Sequence, residues 1–409
     1  MELRLYNKEQ DRDNIMRVWR ETGWLHPGCD EMVDCVMEAG RAWVAEIDGT
    51  AEAEATTAPG TIRYLNEELP LAAVTAVSTS LVGRKKGLAT QLTALAVANE
   101  AAAGARVAGL GMFEQGYYNR LGFGTGTYEH HLSFDPALLQ VPFKARTPRR
   151  LGLEDWNILH TARLERMHGH GACSLSSALM TKAELIEHPG NSGLGYFDGA
   201  DGTLSHFIWI GASDIERGPY SLRMIAFQNG QQFLELMALL KDLSDQIYGV
   251  RMREPFGIQL QDLIRQPFKN SRISDNSPFE HYNRAAAFWQ MRILDLPGCL
   301  ASTHLPGSAL RFNLVLEDPI ASLLPTEQSW RGTGGEYIVT LGETCNSASG
   351  QDPSLPVLQT TVNAFTRMWL GIRPASGLAL TDNLAGSPEL LKALDWAFRL
   401  PTPVIDWAF

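Results

Sequence analysis

The chain has 409 residues, 44% of them hydrophobic and 20% charged, and a formal net charge of -11 at pH 7. That length predicts roughly three domains of ordinary size, and the acidic balance argues against nucleic-acid binding while favouring a cationic partner such as an amine. No run approaches the roughly 20 apolar residues of a membrane-crossing helix, Met1 to Tyr6 carries no signal-peptide pattern, and the five scattered cysteines contain no Cys-x-x-Cys. Reduced thiols in a cytoplasm, and no membrane partner, are therefore expected.

A first unit is expected over residues 1–135. Leu3 to Tyr6 reads as a strand, Asp11 to Glu21 and Asp30 to Ala39 as helices, and Arg41 to Ile47 as a strand closed by the turn Asp48-Gly49. Leu71 to Thr79 is small and β-branched after Pro70, the pattern of a buried strand. From Gly87 onward Leu88, Leu92, Leu95 and Ala96 recur at helical spacing, and Arg106 to Met112 reads as the next parallel strand. Tyr117 to Leu121 reads as a short helix, and Tyr128 to Phe134 as the last strand of the unit, before Asp135-Pro136.

Two stretches of this unit carry chemistry. Arg84-Lys-Lys-Gly87-Leu-Ala89 lies where the buried strand turns into a helix, so free backbone N–H groups face the loop. Gly87 permits close approach, and Arg84, Lys85 and Lys86 place positive charge where a diphosphate would lie. The bland reading is a basic surface loop. Tyr118-Asn-Arg-Leu-Gly122-Phe123 follows at the carboxyl edge of the parallel pair, where ligands of such sheets lie. Tyr118 there is placed to protonate a departing thiolate; the alternative is a packing tyrosine clustered with Tyr117 and Phe123. Together the stretches read as an acyl-coenzyme A site. Trp19, Glu21 and Trp24, with Asp30, stand beside the expected pocket and suit a cation by cation–π contact and charge pairing, or else belong to core and surface.

A second unit is expected over 136–288, with helices at Trp156 to His168, Thr181 to Glu187 and Gln231 to Tyr248 and strands at Phe207 to Ile210 and Leu222 to Phe227. It repeats the element order of the first without a basic glycine loop. His168-Gly-His170-Gly-Ala-Cys173 matches no zinc spacing and reads as a glycine-rich surface loop, so no metal is expected. A third unit is expected over 289–409, with strands at Leu310 to Pro319 and Glu336 to Leu341, helices at Val357 to Leu370 and Pro388 to Phe398, and an apolar tail of Val404, Ile405, Trp407 and Phe409.

Arg84-x-x-Gly87-x-Ala89 and Tyr118-x-x-x-Gly122-Phe123 resemble the pyrophosphate loop and the tyrosine element of the GNAT superfamily of acyl-CoA N-acyltransferases. Glu254 to Asp262, Trp289 to Pro297, Leu390 to Phe398 and the terminal Pro403 to Phe409 extend the likeness to the enhanced intracellular survival (Eis-like) family. The resemblance implies an α/β (α+β) fold: an N-terminal GNAT domain, a second, degenerate GNAT-like domain and a sterol-carrier-like domain. It implies transfer of an acetyl group from acetyl-CoA to a primary amine of a cationic small molecule or peptide, in a homo-oligomer that is often a hexamer. By the same resemblance, Tyr118 is the general acid and the terminal carboxylate of Phe409 the base, ionised at neutral pH. Backbone N–H groups of Val77 and Thr79 hold the acetyl carbonyl, and Arg84, Lys85, Gly87, Leu88 and Ala89 hold the diphosphate. Ala76, Phe113 and Ala408 depart from the family's usual residues and place aminoglycoside acceptors in question. The competing readings are a ligand-binding protein and an assembly protein on the same scaffold.

Overall fold

The computed structural model describes residues 2–307 and 309–408. They fall into two compact units, one within 1–127, 170–177 and 287–409, the other within 128–169 and 178–286. The boundaries expected at 135 and 288 thus move, and the last third of the chain shares a unit with the first. Among the described residues no helix is long and apolar enough to cross a membrane.

The first unit is built on an eight-stranded sheet. Its strands are β1 (Glu2–Leu5), β2 (Arg41–Ile47), β3 (Thr50–Tyr64), β4 (Glu67–Thr79), β5 (Val107–Gly111), β6 (Gly124–Thr125), β7 (Cys173–Leu175) and β8 (Trp289–Ile293). The order is β1-β2-β3-β4-β5-β8-β6, with β7 pairing on β3. β4 and β5 are the parallel pair, joined by helix α3 (Leu88–Ala102) as the sequence predicts. Helices α1 (Lys8–Thr22) and α2 (Glu31–Ala39) precede β2. Asn7 caps α1 by accepting from the N–H groups of Glu9 and Gln10. Helix α3 buries Leu92, Ala94, Ala96, Val97 and Ala98 alike, because it is covered on two sides. One face meets Ala45, Ala53 and Ala55 of the sheet, and Ile320 and Leu324 of the last third join the cluster around Ala94 and Val97.

The last third adds a five-stranded sheet, ordered 346–349, 335–341, 310–317, 357–361, 384–385. The helix expected from Val357 begins five residues late. Val357–Thr361 instead pairs in parallel with Leu310–Glu317, and Thr361 then caps α4 (Val362–Trp369) through the Ala364 N–H. The β-branched pair Thr360-Thr361 suits a strand end and an N-cap better than a helix interior.

The second unit carries a seven-stranded sheet with one parallel pair, Tyr220–Ala226 against Val250–Arg253, backed by the helix Gly230–Asp242. Glu129–Phe134 belongs to this sheet, between 282–286 and 250–253, and not to the first as expected. Local pattern marked the strand correctly; its partners, more than a hundred residues away, were beyond that pattern.

The stretch 168–173 is no surface loop. His170 is buried, its Nδ1 accepts from the Leu65 N–H at 3.1 Å, and its Nε2 lies 3.0 Å from the Leu370 carbonyl. An acceptor at one nitrogen and a donor at the other fix the neutral tautomer, and burial pulls its pKa down. The C-terminal tail docks on this same segment. The Val404 N–H donates to the His170 carbonyl at 2.9 Å, Thr127 Oγ1 donates to the Pro403 carbonyl at 2.7 Å, and the Cys173 N–H donates to Asp406 Oδ1 at 3.2 Å.

Candidate acyl-transfer site

The geometry begins with a divergence. β4 pairs with β5 from Leu71–Val107 to Val74–Leu110 and then leaves it, while β5 keeps its other neighbour, β8, along its whole length from Val107–Ile293 to Gly111–Trp289. In the same stretch β4 bulges against β3: Glu54 faces Ser78 and Thr56 faces Thr75, so Ala55 alone stands opposite Ala76 and Val77. Ala76 takes a φ of 47°, a left-handed conformation that costs a non-glycine residue about 1–2 kcal/mol. A bulge re-aims the strand and frees backbone groups from the ladder. The consequence is a cleft of about 730 Å³.

All seven residues expected to hold the cofactor line this one cleft: Val77, Thr79, Arg84, Lys85, Gly87, Leu88 and Ala89. Gly87 caps α3 in the left-handed region at φ 78°. The first turn of α3 contains no acidic residue, so the positive end of the helix dipole is not offset from within. Arg84, Lys85 and Lys86 are exposed, and among the described residues no carboxylate pairs with them. Helix N-terminal N–H groups beside exposed cations are groups that could hold a diphosphate.

The far wall differs from the expectation. Phe113, Tyr117 and Arg120 line it. The Tyr117 hydroxyl lies 3.2 Å from Thr90 Oγ1 on the first turn of α3, with the Arg120 guanidinium 5.2 Å from its ring centroid. Tyr118 is only 3% exposed and packs edge-on against Phe113 and Tyr117, at 5.9 and 4.8 Å between ring centroids. Burial raises its phenol pKa well above the usual range. Among the described residues nothing hydrogen-bonds its hydroxyl.

On the α1 side the three acceptor candidates separate. Trp24, 42% exposed, lines the cleft. Trp19 is buried, edge-on to Trp24 at 6.0 Å. Glu21 accepts from the Leu81 N–H at 2.9 Å and from Arg17 at 2.8 Å. Those donors, the Leu81 N–H foremost, hold its pKa below the usual carboxylate range. Glu21 therefore fastens the loop and does not face the cleft as an unpaired charge.

Sequence reasoning missed Glu54. It is fully buried on β3, where Trp19 Nε1 and Ser78 Oγ, the latter at 3.0 Å, both donate to Oε1. Oε2 has no partner. Desolvation pushes the carboxyl well above its ordinary range, because burial disfavours the charged form. The alternation Glu52, Glu54 in a buried strand was the available signal. Phe409 lies outside the described residues. In the tail before it Ile405 and Trp407 are packed, 3% and 1% exposed, and Ala408 is exposed.

In the second unit, ligand atoms of Asp198, His206 and Glu235 lie within 4.8 Å of one another. Arg146 spans Asp198 and Glu235 with bonds of 2.5–3.1 Å, so a guanidinium already supplies the positive charge there.

Residues 4–126 match the family described as Acetyltransferase (GNAT) domain. No curated protein matches the sequence. Solved structures share the fold over the whole chain. A conserved protein of unknown function from Enterococcus faecalis V583 is 14% identical, with 100% of this chain and 99% of that one covered and a TM-score of 0.79. Eis1 from Mycobacterium abscessus is 16% identical, with both chains covered in full and a TM-score of 0.75. A GCN5-related N-acetyltransferase from Kribbella flavida is 19% identical, with 100% and 98% covered and a TM-score of 0.74. The chain thus carries a GNAT acetyltransferase domain over residues 4–126.

Proposed function

We propose that this chain transfers the acetyl group of acetyl-CoA to a primary amine of a cationic small molecule or peptide. The observation that carries the reading is the cleft between the diverging β4 and β5, lined by every residue of the basic loop expected to hold the cofactor. Arg84, Lys85 and the N–H groups of Gly87, Leu88 and Ala89 hold the diphosphate. N–H groups of Val77, in the bulge, and of Thr79, at the end of β4, polarise the thioester carbonyl and stabilise the oxyanion that forms on attack.

The overall change is an ammonium plus acetyl-CoA giving an amide, CoA thiol and one proton. Two protons leave nitrogen. The terminal carboxylate of Phe409 takes the first, which exposes the nucleophilic lone pair. As the C–S bond breaks, Tyr118 gives its proton to the sulfur, and the second nitrogen proton restores the phenol. A phenol with a raised pKa keeps its proton at neutral pH and so is ready as an acid. Trp24 at the cleft offers an aromatic face to the acceptor cation. No metal takes part in this scheme.

The test is release of CoA thiol from acetyl-CoA against polyamines, aminoglycosides and amino-terminal peptides. Amine-dependent release supports the reading. Absence of both release and calorimetric CoA binding returns the chain to the ligand-binding alternative.

A further inference from the structure

The turn Tyr118–Leu121 is gripped by side chains from the last third of the chain. Arg292 on β8 donates from Nη1 to the Leu121 carbonyl and from Nη2 to Asp318 Oδ2 at 2.5 Å. Both side chains of that ion pair are 1% exposed or less. Asp318 Oδ2 also accepts from the Thr333 N–H at 2.8 Å and the Thr333 hydroxyl at 3.2 Å, and the guanidinium lies 5.2 Å from the Trp330 ring centroid. Asn363 at the start of α4 donates from Nδ2 to the carbonyls of Asn119 and Phe123, at 2.8 and 2.9 Å. Gln290 on β8 donates to Asn119 Oδ1 at 2.7 Å. The carbonyls of residues 119, 121 and 123 are therefore all bound from outside the N-terminal domain.

The sequence makes room for these partners. A Cβ on Gly122 would come 2.7 Å from Arg292 Nη1, and one on Gly124 2.5 Å from the Asn363 carbonyl. One on Gly126 would come 2.2 Å from the Trp289 ring. The alternating glycines of Gly122-Phe-Gly-Thr-Gly126 face the last third. Stability alone is a poor reason for burying the ion pair, since a buried Arg–Asp pair is often replaced by apolar residues at no loss. What an apolar pair cannot do is bind the Leu121 carbonyl and fix the turn in one geometry.

We propose that Arg292, braced by Asp318, is a positioning residue for acyl transfer, with Asn363 as the second clamp. Together they set the turn that presents the Tyr118 hydroxyl to the departing sulfur. The inference rests on Tyr118 being the proton donor. A general acid must come within about 2.6–3.2 Å of the atom it protonates, and a misplacement of about 1 Å costs on the order of 100-fold in rate. The last third of the chain is then part of the acyl-transfer site and not an appendage to it.

The experiment is a double-mutant cycle on kcat in the full-length protein, at saturating acetyl-CoA and amine. It uses Arg292→Lys, Asn363→Ala, Tyr118→Phe and the two doubles, with unfolding temperatures measured alongside. Arg292→Lys and Asn363→Ala each lower kcat by roughly tenfold or more, with the KM for acetyl-CoA nearly unchanged. In the Tyr118→Phe background each changes kcat by less than about twofold, because the group they position is gone. Asn363 is half-buried, so its variant carries the test if Arg292→Lys does not fold. Equal losses in both backgrounds, a wild-type kcat in the Asn363 variant, or a raised KM at constant kcat would overturn the positioning role while leaving the tyrosine reading intact. A wild-type kcat in Tyr118→Phe alone would overturn the tyrosine reading and this inference with it.

Discussion

Glu54 is a carboxylic acid in a place that cannot hold a carboxylate cheaply. Two donors converge on one oxygen and the other has no partner. Its folded pKa lies above its ordinary value of 4.5. The linked stability is therefore full below that value and is lost as pH rises toward the raised folded one. Glu54→Gln keeps the shape and an acceptor oxygen without the charge. Chemical denaturation across pH 5–9 should show wild-type stability declining with pH and the variant's curve flatter; parallel curves would contradict the neutral acid. Tyr118→Phe should lower kcat by roughly 100-fold or more, the ordinary contribution of a general acid, without moving the KM for acetyl-CoA. Trp24→Ala should raise the KM for the amine and spare that for acetyl-CoA, as a cation–π contact at a half-exposed site predicts.

The elements that make the cofactor cleft were the most legible part of the sequence. A small β-branched run, a basic glycine loop and an apolar helix each announce themselves locally, and β4, the loop and α3 stand where that pattern places them. Gly87→Ala tests the loop. Its Cβ would meet nothing closer than Gln91 Nε2 at 3.9 Å, so the penalty is conformational, about 1 kcal/mol, and should appear as weaker CoA binding by calorimetry. Other elements hid their roles. Val357–Thr361 reads as helix because its apolar and polar residues fit either period, and only pairing with Leu310–Glu317 decides. The stretch His168 to Cys173 reads as a glycine loop, yet Gly171 gives close approach to the tail: a Cβ there would lie 2.7 Å from Pro403. Adjacent tyrosines were also not separable by sequence. Spacing named Tyr118, while Tyr117 is the one that lines the cleft.

At the scale of the whole molecule, local pattern has no access to long-range pairing. β8 opens the third unit expected from the sequence, but it inserts between β5 and β6, strands that precede it by well over 150 residues. The tail follows the same logic. Trp407 is 1% exposed, and Trp407→Ala should cost about 3–5 kcal/mol if its cavity stays open, or less if the tail detaches, with kcat falling in either case when the terminus serves as base. One glycine added after Phe409 moves the terminal carboxylate and leaves the packing residues in place. It should lower kcat while sparing CoA binding.

The most direct measurement is thiol release from acetyl-CoA by the wild-type protein, with and without each amine of the panel. The account predicts release that depends on a primary amine, saturates with it, and yields one amide per thiol. Thiol release equal to the amine-free background for every acceptor, from a protein that binds no CoA, would contradict it.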